Sequence, residues 1–105
     1  DRNMISLSSP TEAEYGGMGL EPFADKWRAF GWNVVEIDGN CMEQIVDALD
    51  HIPDASSDVP TVIIGHTTKG YGVSFMENTA QWHHGVLNDA QLAQALEEVK
   101  ATRNK

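Results

Sequence analysis

The run Pro60-Thr61-Val62-Ile63-Ile64-Gly65 constrains the fold more than any other part of this chain. Its apolar and β-branched residues follow one another without polar alternation, so a strand here has no face suited to water and belongs in a parallel sheet covered on both sides. An earlier run, Trp32 to Ile37, is also β-branched and ends at the turn residues Asp38-Gly39-Asn40. Even with the residues around Asp1 counted as the end of another, the chain supplies no more than two or three strands. So few strands leave buried-type edges unpaired.

Helical patterns separate these runs. One helix opens at Pro22, carries Phe23, Trp27 and Phe30 at helical spacing, and stops at Gly31. In a second, Asn40 and Glu43 have the spacing of a capping box, and Met42, Ile45, Val46 and Leu49 form one apolar stripe that ends near Pro53. The last opens at Asn88 with Gln91 in the matching capping position, and Leu92, Ala95, Leu96 and Val99 make its inner face. Residues 5–20 and 66–87 are loops rich in turn formers. The expected fold class is α/β: a partial open parallel sheet with crossover helices, which is one part of a larger sheet.

Composition narrows the function. A hydrophobic content of 41% and three Trp argue against disorder. Sixteen acidic against seven basic residues give a formal charge of -9, which repels a nucleic-acid backbone or an anionic membrane. A small phosphorylated ligand answers to local groups and is not excluded. No apolar run reaches the roughly 18–20 residues of a membrane span. The single Cys41 permits no internal disulfide and points to a reducing, cytoplasmic setting; at a helix start with no base beside it, it is read as structural. His51, at a helix end, reads as a favourable charge at the dipole terminus. The chain opens at Asp1 without an initiator Met, as expected of a processed or excised piece.

Three segments could carry chemistry. Asp1-Arg2-Asn3-Met4-Ile5 has the look of a strand end, where an Asn amide oxygen and a backbone carbonyl suit a hard cation such as Mg²⁺, although Asn there is more often a turn residue. His66-Thr67-Thr68-Lys69-Gly70-Tyr71-Gly72 follows the strongest strand directly. Hydroxyls, a Lys and flexible glycines at a strand's carboxyl end can cradle an anion, or form an ordinary loop; the spacing is not that of a P-loop. Trp82-His83-His84-Gly85 places adjacent imidazoles in an irregular segment, able to donate hydrogen bonds and move protons near neutral pH, but not at zinc-helix spacing.

Taken in order, D-R-N-M-I, K-W-R-A-F-G-W-N-V-V-E-I-D-G-N, P-T-V-I-I-G-H-T-T-K-G-Y-G-V-S-F-M-E-N and W-H-H-G resemble transketolases, above all the split-subunit members whose N-terminal half is a separate chain. The resemblance covers nearly the whole chain. It implies that residues 1–105 are the C-terminal part of the thiamine-diphosphate-binding N-terminal domain. It implies thiamine diphosphate and Mg²⁺ as cofactors, with Asn3 (side chain) and Ile5 (backbone carbonyl) as metal ligands. It places Thr68, Lys69 and Gly70 close to that site, and His83 near the diphosphate and the reacting end of the sugar, with His84 the alternative. The implied reaction moves a two-carbon ketol unit between sugar phosphates. The implied partners are a C-terminal transketolase subunit or domain and a homodimer mate, with no nucleic acid and no membrane.

The family's Gly-Asp-Gly does not occur in these residues, and its activating glutamate comes from a second domain. Where many relatives have an I-x-G turn, this chain reads Ser6-Leu7-Ser8-Ser9-Pro10. The isolated 105 residues are therefore expected to be inactive. The alternatives are another thiamine enzyme (a deoxyxylulose-phosphate synthase or a ketoacid dehydrogenase subunit) or a non-enzymatic interaction domain derived from one.

Overall fold

A computed structural model of the protein describes residues 21–102. The expected metal ligands Asn3 and Ile5 lie outside the described residues. The element order is α1 (Phe23–Ala29), β1 (Asn33–Asp38), α2 (Met42–Asp50), β2 (Thr61–His66), a single 3-10 turn (Ala80–His83) and α3 (Asp89–Thr102). Strands β1 and β2 pair in parallel, from Asn33 opposite Thr61 to Asp38 opposite His66. Among the described residues these form a two-stranded sheet, with α2 as the crossover. The chain is thus an α/β fragment of the kind its sequence indicates.

Local chemistry sets the boundaries. Pro22 is the cap of α1, not its first helical residue. The Phe23 amide instead donates to the Glu21 carboxylate at 2.8 Å. At the other end Gly31 has φ +84. Its amide donates to the Arg28 carbonyl, and the Trp32 amide donates to Trp27, which together close a Schellman motif. The Trp27 and Trp32 rings meet edge-on with centroids 4.9 Å apart, the hydrophobic contact that accompanies such an ending. This also moves the start of β1. With its amide committed to the helix, Trp32 cannot join the ladder, and the first bond is Asn33 N–H to the Pro60 carbonyl at 2.9 Å. Pro60 lacks an N–H, so β2 runs from Thr61 to His66.

The expected capping box at α2 is not formed. Cys41, half-buried, is the cap residue and makes no side-chain cap bond. Asn40 lies one residue too early, and its oxygen is taken by the loop after β2. At α3 the box forms as expected: Gln91 N–H donates to Asn88 Oδ1 at 2.9 Å, and Asn88 N–H to Gln91 Oε1 at 3.1 Å.

Both apolar stripes also need correction. Among the described residues the buried positions are Ala48, Ile64, Val73 and Ala95. On α2, Met42, Val46 and Leu49 are exposed, while Ile45 is half-buried. On α3, only Ala95 of the expected inner face is buried, and Leu92, Leu96 and Val99 are exposed. The reason is polar. Ser74 donates to both Glu98 oxygens, from its amide at 2.6 Å and from its hydroxyl at 2.8 Å. Gln94 donates to Glu98 at 2.8 Å and to the Ser74 hydroxyl at 3.3 Å. These bonds turn the Gln94–Glu98 face of α3 toward the 66–79 loop, and its leucines face outward.

Candidate functional site: the carboxyl edge of the parallel strands

Parallel pairing brings the residues after β1 and after β2 to one edge of the sheet, the edge where open α/β sheets bind ligands. There Gly39 and Gly65 pack backbone against backbone. A Cβ on Gly39 would stand 2.6 Å from the Thr67 methyl and 3.0 Å from the Gly65 Cα. The Gly39 amide donates to the His66 carbonyl at 2.9 Å. The turn after β1 is fixed further by Asp38, which accepts the Asn40 amide at 2.9 Å and gives its own amide to Gln44 at 2.8 Å.

From this turn Asn40 reaches across to the next loop. Its Oδ1 accepts the Thr68 amide at 2.7 Å in a half-buried position. The loop then folds on itself. Tyr71 N–H donates to the Thr68 carbonyl, with Gly70 at φ +75 supplying the conformation that the turn requires. Asn78 N–H closes back onto the Lys69 carbonyl at 2.9 Å, and Gly72 N–H onto Glu77 Oε1 at 3.0 Å.

The result is an open concavity of about 700 Å³ lined by Asn40, Thr67 to Tyr71, Val73 and Met76. Of the expected site residues, Thr68, Lys69 and Gly70 line it together. Its chemistry is one-sided: hydroxyls, an amide and an ammonium, with no carboxylate in the lining. That donor set fits an anion such as a diphosphate. The way it would hold one differs from a simple backbone cradle. The Thr68, Tyr71 and Gly72 amides are already committed, so side chains dominate the donors left to a ligand. Among the described residues no cluster of three His, Cys, Asp or Glu could hold a metal ion.

His83 ends the 3-10 turn and His84 follows it. Both are exposed, and neither is among the residues lining the concavity. The turn is held to the same loop by Trp82, whose ring meets Phe75 edge-on at 5.4 Å; Phe75 precedes the lining residue Met76. At α2's end, His51 Nδ1 donates to the Asp47 carbonyl at 2.7 Å, in keeping with a role at the helix terminus.

Sequence reading missed two features. Asn40 was legible only as a helix cap, because its true partner is 28 residues away. The second is a surface chain of charges leading to His66, the residue before the loop. Arg28 bridges Asp25 and Glu36, each at 2.8 Å, and Glu36 contacts His66 Nε2 at 3.1 Å. Hydrogen bonds from Arg28 and then His66 hold the Glu36 carboxyl below its ordinary range, and Glu36 followed by Asp25 raises Arg28. All these groups are well exposed, so the chain contributes little stability.

A parallel α/β fragment with a donor-lined loop at the strands' carboxyl edge is the architecture of a phosphate-ligand domain. The chain belongs to the transketolase family: it matches the thiamine diphosphate binding domain of transketolase over residues 1–104. It is 46% identical over 99 residues to one of the two subunits of an apulose-4-phosphate transketolase from Phocaeicola vulgatus, covering 94% of this chain and 34% of that protein. It is 40% identical over 81 residues to the 6-deoxy-6-sulfo-D-fructose transketolase subunit SqwG of a Clostridium species, covering 77% of this chain and 29% of that protein. Human transketolase is 26% identical over 99 residues, which cover 94% of this chain and 15% of that protein. The chain therefore spans about a third or less of the length of these relatives. Among the described residues no helix is long and apolar enough to cross a membrane.

Proposed function

We propose that these residues are the C-terminal part of the N-terminal domain of a split-type transketolase, and that the loop after β2 holds the diphosphate of thiamine diphosphate. The observation that carries this is the concavity at the sheet's carboxyl edge, lined by Thr68, Lys69 and Gly70 without a carboxylate, in a chain that matches the thiamine diphosphate binding domain. When bound, thiamine diphosphate supplies the carbon nucleophile that carries a two-carbon ketol unit from a ketose phosphate to an aldose phosphate. Lys69 offers a point charge to the diphosphate, and the Thr68 hydroxyl offers a hydrogen bond. His83 donates to the diphosphate or to the reacting sugar and holds a proton near neutral pH; His84 is the alternative. Asn3 through its amide oxygen and Ile5 through its carbonyl are of the kind that Mg²⁺ takes. The partners are a complementary transketolase subunit, together with a second copy of the assembly. That several relatives are themselves named as single subunits of a transketolase supports this reading. One free cysteine supports a cytoplasmic setting.

The test is an assay of the full-length protein, mixed with its second subunit, for ketol transfer between sugar phosphates in the presence of thiamine diphosphate and Mg²⁺. Transfer is expected from the mixture, and neither component by itself should support it. In the same assay His83→Ala should lower kcat by about 10²-fold or more, with His84→Ala near the wild-type rate; the reverse order would assign the role to His84. Pyruvate decarboxylation without ketol transfer would sink the transketolase reading. The isolated 105 residues should show no activity and no measurable cofactor affinity, an expectation that micromolar binding in isothermal titration would overturn.

A further inference from the structure

Asn40 is the member of the concavity that its loop hydrogen bonds leave half used. The Thr68 amide is a donor only, so the atom 2.7 Å from it must be the carbonyl oxygen of the Asn40 side chain. The orientation of the amide is therefore fixed by its partner, and the NH₂ group points away from Thr68. Among the described residues nothing accepts a hydrogen bond from that NH₂. Asn40 is half-buried and lines the same concavity as Thr68 and Lys69. An amide donor on such a wall, beside an ammonium and two hydroxyls, faces a strong demand for an acceptor. Its backbone is held on both sides, by Asp38 accepting its amide and by Gly39 bonded to His66, so the donor is presented from a rigid support.

We propose that Asn40 is both a positioning and a binding residue of this site: Oδ1 sets the turn from Thr68 to Gly70, and Nδ2 donates to an oxygen of the bound anion. This rests on the diphosphate reading above and adds a ligand group from the turn after β1. It also accounts for the absence of a capping bond at α2, since the same oxygen cannot serve both.

The experiment uses the full-length protein mixed with its second subunit, and it reads two quantities. Hydrogen exchange reports the Thr68 amide, and titration with thiamine diphosphate and with inorganic pyrophosphate reports the anion. Asn40→Ala should raise the exchange rate of Thr68 and weaken both ligands by about tenfold, with β2 and α3 exchange unchanged. Asn40→Asp keeps an acceptor for Thr68 and removes the donor. It should retain Thr68 protection yet bind both ligands at least as weakly as Asn40→Ala, since a carboxylate now faces the anion. Should Asn40→Ala fail to fold, Asn40→Asp alone decides the binding role. Unchanged Thr68 exchange in Asn40→Ala, or wild-type ligand affinity in Asn40→Asp, overturns the assignment. Loss of Thr68 protection in Asn40→Ala, with wild-type protein that binds neither ligand, defeats the diphosphate reading and leaves only the positioning role.

Discussion

Gly31 and Gly70 share a backbone conformation, φ +84 and φ +75, but not a neighbourhood. A Cβ on Gly31 would meet nothing within 4 Å, whereas on Gly70 it would lie 2.5 Å from the Met76 carbonyl oxygen and 2.7 Å from its carbon. A left-handed alanine costs about 1 kcal/mol at an open helix end, which is all that Gly31→Ala should lose in urea unfolding of the full-length protein. Gly70→Ala adds a collision with backbone that has no rotamer to escape into, because Met76 is tied by its own amide to the Val73 carbonyl at 2.9 Å. We expect it to cost about 3 kcal/mol or more, or to open the loop and abolish anion binding at unchanged global stability. A Gly70→Ala protein with the stability and ligand affinity of Gly31→Ala would contradict this geometry.

At the scale of elements, the same letters were read correctly in one place and wrongly in another. Asn88 and Gln91 form the reciprocal box that their spacing indicates, and Asn88→Ala should cost about 1 kcal/mol by thermal or urea unfolding. Asn40 and Glu43 have the same spacing, but a tertiary partner claimed the asparagine. Helix and strand positions, the parallel pairing and the Thr68–Gly70 loop were legible because period, turn residues and strand composition are local signals. The orientation of α3 was not, since it depends on Glu98 binding Ser74 across 24 residues of chain. That contact has a pH signature. Bonds from Gln94, then from the amide and hydroxyl of Ser74, hold the Glu98 carboxyl below its ordinary value of 4.5. A lowered carboxyl contributes stability that is complete above the unfolded value and is lost as pH falls through the folded one. Exchange protection of Ser74 should thus be flat above about pH 5 and decline on further acidification, and Glu98→Gln should remove the decline. Protection that already falls between pH 7 and 6 would point to a different group.

For the molecule as a whole, the question is how much of a core these residues make by themselves. Among the described residues none of the large side chains is fully buried, and the four buried hydrophobics are Ala48, Ile64, Val73 and Ala95. Against them stand Met42 at 69%, Leu49 at 54% and Leu96 at 51% exposure, on two helices whose apolar sides meet water. Each such side chain forfeits a good part of the roughly 1.5–3 kcal/mol that full burial provides. A two-stranded parallel sheet covered by so little lacks the cooperative packing that gives small domains a sharp transition. The isolated 105 residues should therefore melt broadly, with little excess heat, and enhance the fluorescence of an apolar dye such as ANS, as loosely packed states do. The full-length protein, mixed with its second subunit, should melt cooperatively and leave the dye dark. Equal dye enhancement in both would show that these helix faces stay open in the assembly. A sharp calorimetric transition of the short chain, without dye binding, would show that residues 1–105 already hold a complete core.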